Sequence, residues 1–280
     1  MENIRKKRPR WLRSKSILIG GGLVAIIVLL GIFAPLVAPH DPLQQNLRYA
    51  YQKPTWEYPF GTDQFGRCLL SRVIYGARIS LLEIVMGVSM AMAVGVPLGL
   101  AAGYFGGKVD RLIMWLLDIV YAFPGIVLAI LIVSIMGASL TNMLIAIAIW
   151  SVPVYGRLTR NLTLSLKQLE YVEAATALGS SHLSIMFRHI LRNALAPILV
   201  QATLTAGSVV LSASTLSFLG LGVVPPTPEW GAMISTGRTF IAIAPHLSLF
   251  PGLAILVTVL GFNLLGDGLR DLLDPKLRHS

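Results

Sequence analysis

Long apolar stretches alternate with short polar ones along the whole chain. The stretches with no charged residue, or with one, are 16–40, 79–107, 112–156, 193–228 and 239–266. About 20 apolar residues allow a helix to cross a bilayer, and the third stretch has room for two crossings. The pattern predicts six transmembrane helices, at 17–38, 80–103, 112–136, 140–156, 196–219 and 248–266.

Composition supports an all-α, polytopic membrane protein. Hydrophobic residues make up 55% of the chain and charged residues 13%, and the mean hydropathy is +0.71. Soluble domains carry roughly 25% charged residues. No small-residue cleavage site follows the first apolar stretch, so we interpret it as a retained span and not as a signal peptide. The single cysteine excludes an internal disulfide framework.

The distribution of positive charge predicts the orientation. With six spans, both termini lie on one side, and that side holds 17 of the 23 Lys and Arg residues. Such an excess is typical of the cytoplasmic side. The basic run Arg5–Arg8 is interpreted as an anchor to anionic membrane lipid and not as a nucleic-acid arm. The chain is thus divided into a basic cytoplasmic terminus with the first span (1–40), an outer loop (41–79) and a five-helix core (80–280).

A helical hairpin is predicted in the cytoplasmic loop, about 157–195. Gly179, four residues after Ala175, can end a first helix in a left-handed conformation. Ser180 or Ser181 can then cap a second helix. The apolar face predicted for this second helix consists of Leu183, Phe187, Ile190 and Leu191. A hairpin with one apolar face favours docking on a soluble partner, although the residues alone fit an ordinary loop equally well.

The outer loop contains a polar turn followed by an amphipathic pattern. Asp63 or Thr62 can cap the turn, and Gly66 supplies a tight backbone. From Arg67 to Arg78, apolar and polar residues fall on opposite sides of a helix. The pattern predicts an interfacial helix.

Four blocks, in order, resemble known transport proteins. The loop residues Glu173, Ala174, Ala175 and Gly179 are similar to the E-A-A-x-x-x-G loop of integral membrane subunits of bacterial ABC importers. Residues 61–72 resemble the G-T-D-x-x-G-R-D-x-x-S-R signature of the dipeptide/oligopeptide/nickel permease family, and 216–231 and 262–276 resemble the same family. Two departures are Cys68, where the family has Asp, and the absence of a proline before Asn193. The kink after the second loop helix is therefore expected later, at Pro197.

This resemblance implies a fold, partners and a location. It implies the ABC importer permease fold in a bacterial inner membrane, with a homologous second permease subunit, two ABC ATPase subunits and an extracytoplasmic substrate-binding protein. The loop at Glu173 would insert into a groove of the ATPase. The chain would form half of a path for dipeptides, oligopeptides or a similar small peptide such as glutathione. A nickel or metal-chelate permease of the same family is the alternative.

The chain itself is predicted not to be an enzyme. It has no G-x-x-x-x-G-K-[ST] motif for phosphate binding, so ATP and magnesium are expected on partner subunits, with no cofactor in this chain. Its five histidines fall on different loops, which predicts no metal site. An ion-gradient secondary transporter is the competing class, but no internal repeat is visible.

Several other residues are candidates for function. Trp230 and Glu229, in the proline-rich outer segment, are candidate contacts for the binding protein, and an interfacial anchor is the alternative for the tryptophan. Asp118 is a candidate polar residue of the translocation path, with a hydrogen bond inside the bundle as its alternative. Glu83 is interpreted as a bundle-interior hydrogen bond or a residue near the outer interface. Prolines 97, 124 and 153 are expected to mark kinks.

Overall fold

A computed structural model describes residues 14–273, and its regular structure is helical. The α-helices in this part of the chain are α1 (Lys15–Ile32), α2 (Ala34–Val37), α3 (Leu69–Phe105), α4 (Gly107–Ala122), α5 (Gly125–Met136), α6 (Leu140–Leu166), α7 (Glu170–Ala177), α8 (His182–Ser184), α9 (Arg192–Phe218), α10 (Trp230–Gly237) and α11 (His246–Leu273). A π-helical segment, Ile185–Leu191, joins α8 to α9 without a break. The all-α prediction is confirmed, and the basic run Arg5–Arg8 lies outside the described residues.

Within residues 14–273, four helical stretches are long and apolar enough to cross a membrane. They are α1, α3, the continuous helix His182–Phe218 and α11. A fifth candidate is the pair α4 and α5, which meet at an angle of 88°. Helix α6, with 27 residues, also reaches about 40 Å. The count of six spans and the orientation of the termini therefore stay predictions.

Helices α3 and α6 form the central pair of the bundle. They run side by side in the same direction, and glycines 95, 99 and 103 of α3 face α6 at successive turns. A Cβ atom at Gly99 would overlap the backbone carbonyl of Gly156. Small residues at this spacing let membrane helices approach to backbone contact, where dispersion and polar contacts hold them together. This pair is the most extensive helix contact in the described chain, and α9 packs across both helices.

Two helix boundaries differ from the sequence predictions. The interfacial helix predicted from Arg67 is not a separate element, because its residues form the first turns of the 37-residue helix α3. The predicted span at 112–136 is broken near Pro124, whose ring prevents a regular helix from continuing. Pro97 and Pro153, by contrast, lie inside the unbroken helices α3 and α6.

Candidate functional site

The predicted cytoplasmic hairpin is present and has its own small core. In α7, Glu173 and Ala174 are exposed, whereas Val172 and Ala175 are buried. Val172 packs with side chains from α3 and from the π-helical segment: Leu100, Tyr104, Ile185, Met186 and Ile190. The hairpin is therefore fastened by one face of α7, and Glu173, the residue after Val172, lies exposed at the edge of that face.

The turn of the hairpin has the geometry that the sequence predicts. Gly179 has a φ of 78°, its N–H donates to the Thr176 carbonyl at 3.0 Å, and the Ser180 N–H donates to the Ala175 carbonyl at 3.1 Å. These two bonds are the Schellman closure of a helix end. Of the two predicted caps it is the Ser181 hydroxyl that acts, by accepting from the Ser184 N–H at 3.3 Å.

The second half of the hairpin departs from the predicted helix. Leu183 and Phe187, predicted on the apolar face, are 67% and 47% exposed, whereas Ile185 and Met186 are buried. Within the π-helical segment, i→i+5 bonds place one extra residue in the turn, which changes the residues of that segment that meet α3. The helix then continues into α9, and Pro197 lies inside this continuous helix, so the kink expected there stays a prediction.

An exposed apolar surface remains at the end of the hairpin. We call Leu178, Leu183 and Phe187 the hairpin tip; Leu178 is the most exposed of the three, at 86%. Isolated exposed apolar residues are ordinary, but clustered ones mark interaction sites. The tip, together with the carboxylate of Glu173, is chemically suited to a groove with an apolar floor and a basic rim.

Helix α3 is tied to the hairpin by a polar contact that the sequence did not indicate. The Tyr104 hydroxyl and His182 Nδ1 are 2.7 Å apart, and Lys167 Nζ donates to the Tyr104 carbonyl at 2.7 Å. These residues and Glu173 line a cavity of about 620 Å³. The hydrogen-bond partner of His182 lies 78 positions away in the chain, beyond the reach of local sequence patterns.

Asp118 lies at the surface of the subunit and has a partner. Its Oδ1 is 2.7 Å from Arg157 Nη2, and the two side chains are 59% and 35% exposed. The Arg157 guanidinium also stacks over the Tyr121 ring, 4.0 Å from its centre. Asp118 thus makes a hydrogen bond to a neighbouring helix, at an exposed position of this subunit, and its role in a translocation path stays a prediction.

A buried ionic cluster organises the outer segment. Asp63 Oδ2 lies 2.6 Å from Arg67 Nε and 3.6 Å from Arg72 Nε, and all three side chains are buried. Arg72 also donates to the carbonyls of Pro42 and Pro226. Asp63 therefore supplies a single counter-charge for two buried arginines. Cys68 lies next to this cluster in the chain and is itself buried as the N-cap of α3.

Glu229 and Trp230 are placed inside the protein, which corrects their predicted role as partner contacts. Their exposed fractions are 0% and 1%. The Trp230 indole donates to the Val73 carbonyl at 3.0 Å, and Glu229 caps α10 by accepting from two backbone N–H groups. Burial raises the pKa of the Glu229 carboxyl, and the two N–H donors partly offset this shift. The exposed part of this loop is 224–226.

Comparisons with known proteins place these features in a family. Residues 95–279 match the binding-protein-dependent transport system inner membrane component family. Residues 8–54 match the N-terminal TM domain of oligopeptide transport permease C. The first match includes the hairpin, α6 and the end of α3, and the second match ends within the outer segment, so that 55–94 lies between the two.

Individual relatives agree with the family match. A dipeptide transport system permease protein of Alkalihalophilus pseudofirmus is 49% identical, over 95% of this chain and 88% of its own length. A glutathione transport system permease protein of Pectobacterium atrosepticum is 44% identical, over 96% of this chain and 90% of its own. Among solved structures, an inward-facing MetNI methionine ABC transporter matches 74% of this chain and 98% of its own, with a TM-score of 0.58 and 18% identity. That last likeness shows the fold.

Proposed function

Because this chain belongs to the binding-protein-dependent transport system inner membrane component family, and is thus a permease subunit of a bacterial ABC importer, we propose that it imports dipeptides or a similar small peptide such as glutathione. Support for the substrate class comes from relatives at 49% and 44% identity, which are named as dipeptide and glutathione permeases. The chain would form half of the path and pair with a homologous second permease subunit.

We propose the partners from the family to which the chain belongs and from the surface that the hairpin exposes. Two ABC ATPase subunits would bind ATP and magnesium beneath it, and a substrate-binding protein would deliver the peptide from the outer side. The observation that carries the coupling role is the hairpin, which is fixed by one face of α7 and leaves Glu173 and the hairpin tip exposed. Burying a leucine side chain stabilises a complex by about 1.5–3 kcal/mol before ordering costs, so the tip can supply a large part of the docking energy.

Force would reach the spans through the contacts of the hairpin with α3. A motion of the ATPase that displaces α7 also displaces Val172, which packs on α3. The second half of the hairpin is continuous with α9, so it has no flexible joint at which the motion could be lost. Alternating access of the path would result from the changed packing of these two helices.

Charge reversal in the hairpin tests the proposal. In proteoliposomes that contain the whole importer, Glu173→Lys should release the ATPases or uncouple ATP hydrolysis from uptake of labelled dipeptide. Glu170→Lys is the matched control, because Glu170 is also exposed on α7 but does not line the cavity beside Tyr104. Normal uptake by Glu173→Lys would refute the coupling role. Uptake of a nickel chelate and of no peptide would refute only the substrate class.

A further inference from the structure

The last turn of α3 meets the second half of the hairpin through a polar and aromatic contact. The Tyr104 hydroxyl and His182 Nδ1 are 2.7 Å apart. The imidazole also lies edge-on to the rings of Tyr104 and Phe105, with ring centres 5.6 Å and 6.0 Å away. Tyr104 and Phe105 are the last two residues of α3, and His182 is the first residue of the continuous helix His182–Phe218. The contact therefore joins the ends of two helices that are long and apolar enough to cross the membrane.

A lysine attaches the same end of α3 to a third helix. Lys167 Nζ donates to the Tyr104 carbonyl at 2.7 Å and lies 5.3 Å from the centre of the Tyr104 ring. Lys167 is the C-cap of α6. The last carbonyl groups of a helix lack partners within the helix and carry partial negative charge, so an ammonium group stabilises them. Tyr104 is thus held through both its side chain and its backbone.

The hydrogen bond to His182 adds a directional contact to the apolar core of the hairpin. Val172, Ile185 and Met186 pack against Tyr104, but apolar burial is non-directional. A hydrogen bond, by contrast, weakens steeply when its donor and acceptor move out of line. The bond between Tyr104 and His182 therefore resists a slide or rotation of the hairpin across α3 that the apolar contacts alone would tolerate.

His182 lies where a load on the hairpin would arrive. It is followed directly by Leu183, a residue of the hairpin tip that is 67% exposed. From Tyr104, α3 runs without a break through its 37 residues to the outer segment, where Arg72 donates to the Pro226 carbonyl. One series of contacts thus leads from the hairpin tip to the outer loop.

We propose that Tyr104, His182 and Lys167 are positioning residues for transport. Their hydrogen bonds hold the end of α3 to the hairpin and to α6, so that a displacement of the hairpin moves α3 instead of sliding past it. This role rests on the coupling function proposed above for the hairpin. The three residues line the cavity of about 620 Å³ beside the bond, which leaves the hairpin space to slide when the bond is removed.

Removal of one hydroxyl group tests the role in proteoliposomes that contain the whole importer. Tyr104→Phe keeps the ring and its packing but removes the bond to His182. The number of peptides taken up per ATP hydrolysed should fall about 2- to 10-fold, the factor by which one hydrogen bond changes an equilibrium. The ATPase subunits should still co-purify, because the hairpin tip is unchanged.

Variants of His182 show whether the bond itself is responsible. His182→Leu should lower the ratio of uptake to hydrolysis as Tyr104→Phe does. His182→Asn should restore most of the ratio, because its side-chain amide can place a polar atom near the position of Nδ1. The double variant Tyr104→Phe/His182→Leu should lose no more than either single variant, since both remove the same bond.

Tyr171→Phe is the matched control for the loss of a hydroxyl group. The Tyr171 hydroxyl accepts from Asn193 Nδ2 at 3.1 Å, a bond that joins α7 to the first turn of α9 and does not involve α3. Its removal should leave the ratio of uptake to hydrolysis unchanged. A loss equal to that of Tyr104→Phe would show that any weakening of the hairpin has this effect, and would overturn the proposal.

The other outcomes are equally decisive. A normal ratio in Tyr104→Phe or additive losses in the double variant would overturn the proposal. So would a reduced yield of assembled importer with an unchanged ratio, because the bond would then only stabilise the fold. If Glu173→Lys also transports normally, the coupling function itself fails. If Glu173→Lys uncouples and Tyr104→Phe does not, the positioning role alone is refuted.

Discussion

Replacement of Gly179 by valine would test the hairpin with little steric interference. The residue has a φ of 78°, and no heavy atom lies within 4 Å of the place where a Cβ would be. The cost is therefore conformational. An L-residue in this region costs about 1–2 kcal/mol, and a β-branched one lies at the upper end. A cost of this size reduces the population of the closed hairpin by a factor of about 5–30.

A series of substitutions at Gly179 measures this conformational cost. Asparagine tolerates positive φ better than other residues with a Cβ, so ATPase binding and coupled uptake should decrease in the order Gly, Asn, Ala, Val. The assay is co-purification of the ATPase subunits with the membrane complex, followed by the ratio of peptide taken up to ATP hydrolysed. Insertion into the membrane should be unaffected, because the turn is exposed.

The chain offers a matched control in Gly220, which follows the C-terminus of α9 as Gly179 follows that of α7. Gly220 has a φ of 81°, open space around it and the same pair of closing bonds, from the Gly220 and Leu221 N–H groups. Gly220→Val therefore introduces the same strain on the predicted outer side, and the ATPases should stay bound. The reasoning is refuted if Gly179→Val binds ATPase and transports normally, or if Gly220→Val releases ATPase equally well.

Three further outcomes are expected. Cys68, at 2% exposure, should resist a membrane-impermeant maleimide in intact cells and react after denaturation; fast labelling of the folded protein would show that it is accessible. Asp63→Asn should reduce the yield of folded protein, because it leaves two buried arginines without their counter-charge at a cost of about 3–5 kcal/mol; unchanged yield and melting would contradict this. Gly99→Ala should destabilise the α3–α6 contact and lower the thermal midpoint of the protein. Gly22→Ala should not, because a Cβ at Gly22 meets no atom within 4 Å. Equal thermal midpoints for the two variants would count against the close-packed interface.

Local chemistry explains which parts of the hairpin could be predicted. The left-handed turn follows from a glycine placed after a short helix, and the cap follows from a serine, so both are confirmed at Gly179 and Ser181. The family resemblance is confirmed as well, because four ordered blocks are more specific than any single one. The turn, the cap and each single block depend on residues within a few positions of one another.

Features that depend on distant residues were not predictable in this way. The π-helical segment changes which side of the helix is buried, and regular i, i+4 spacing cannot reveal it. The bond between Tyr104 and His182 joins residues 78 positions apart. Burial of Trp230 depends on the Val73 carbonyl, which lies 157 positions away, while tryptophan alone is equally typical of a membrane interface.

The unbroken helix from His182 to Phe218 has a mechanical consequence. Its 37 residues span roughly 55 Å at 1.5 Å per residue, and its lower end carries the hairpin tip while its upper end supports α10 near Ser214. Such a rod works as a lever with a fulcrum where Val209 meets Gly87. The upper arm, from Val209 to Phe218, is about 13 Å long, so a tilt of about 5° would move the upper end by about 1 Å in the direction opposite to the lower end, with no break in the helix to absorb it.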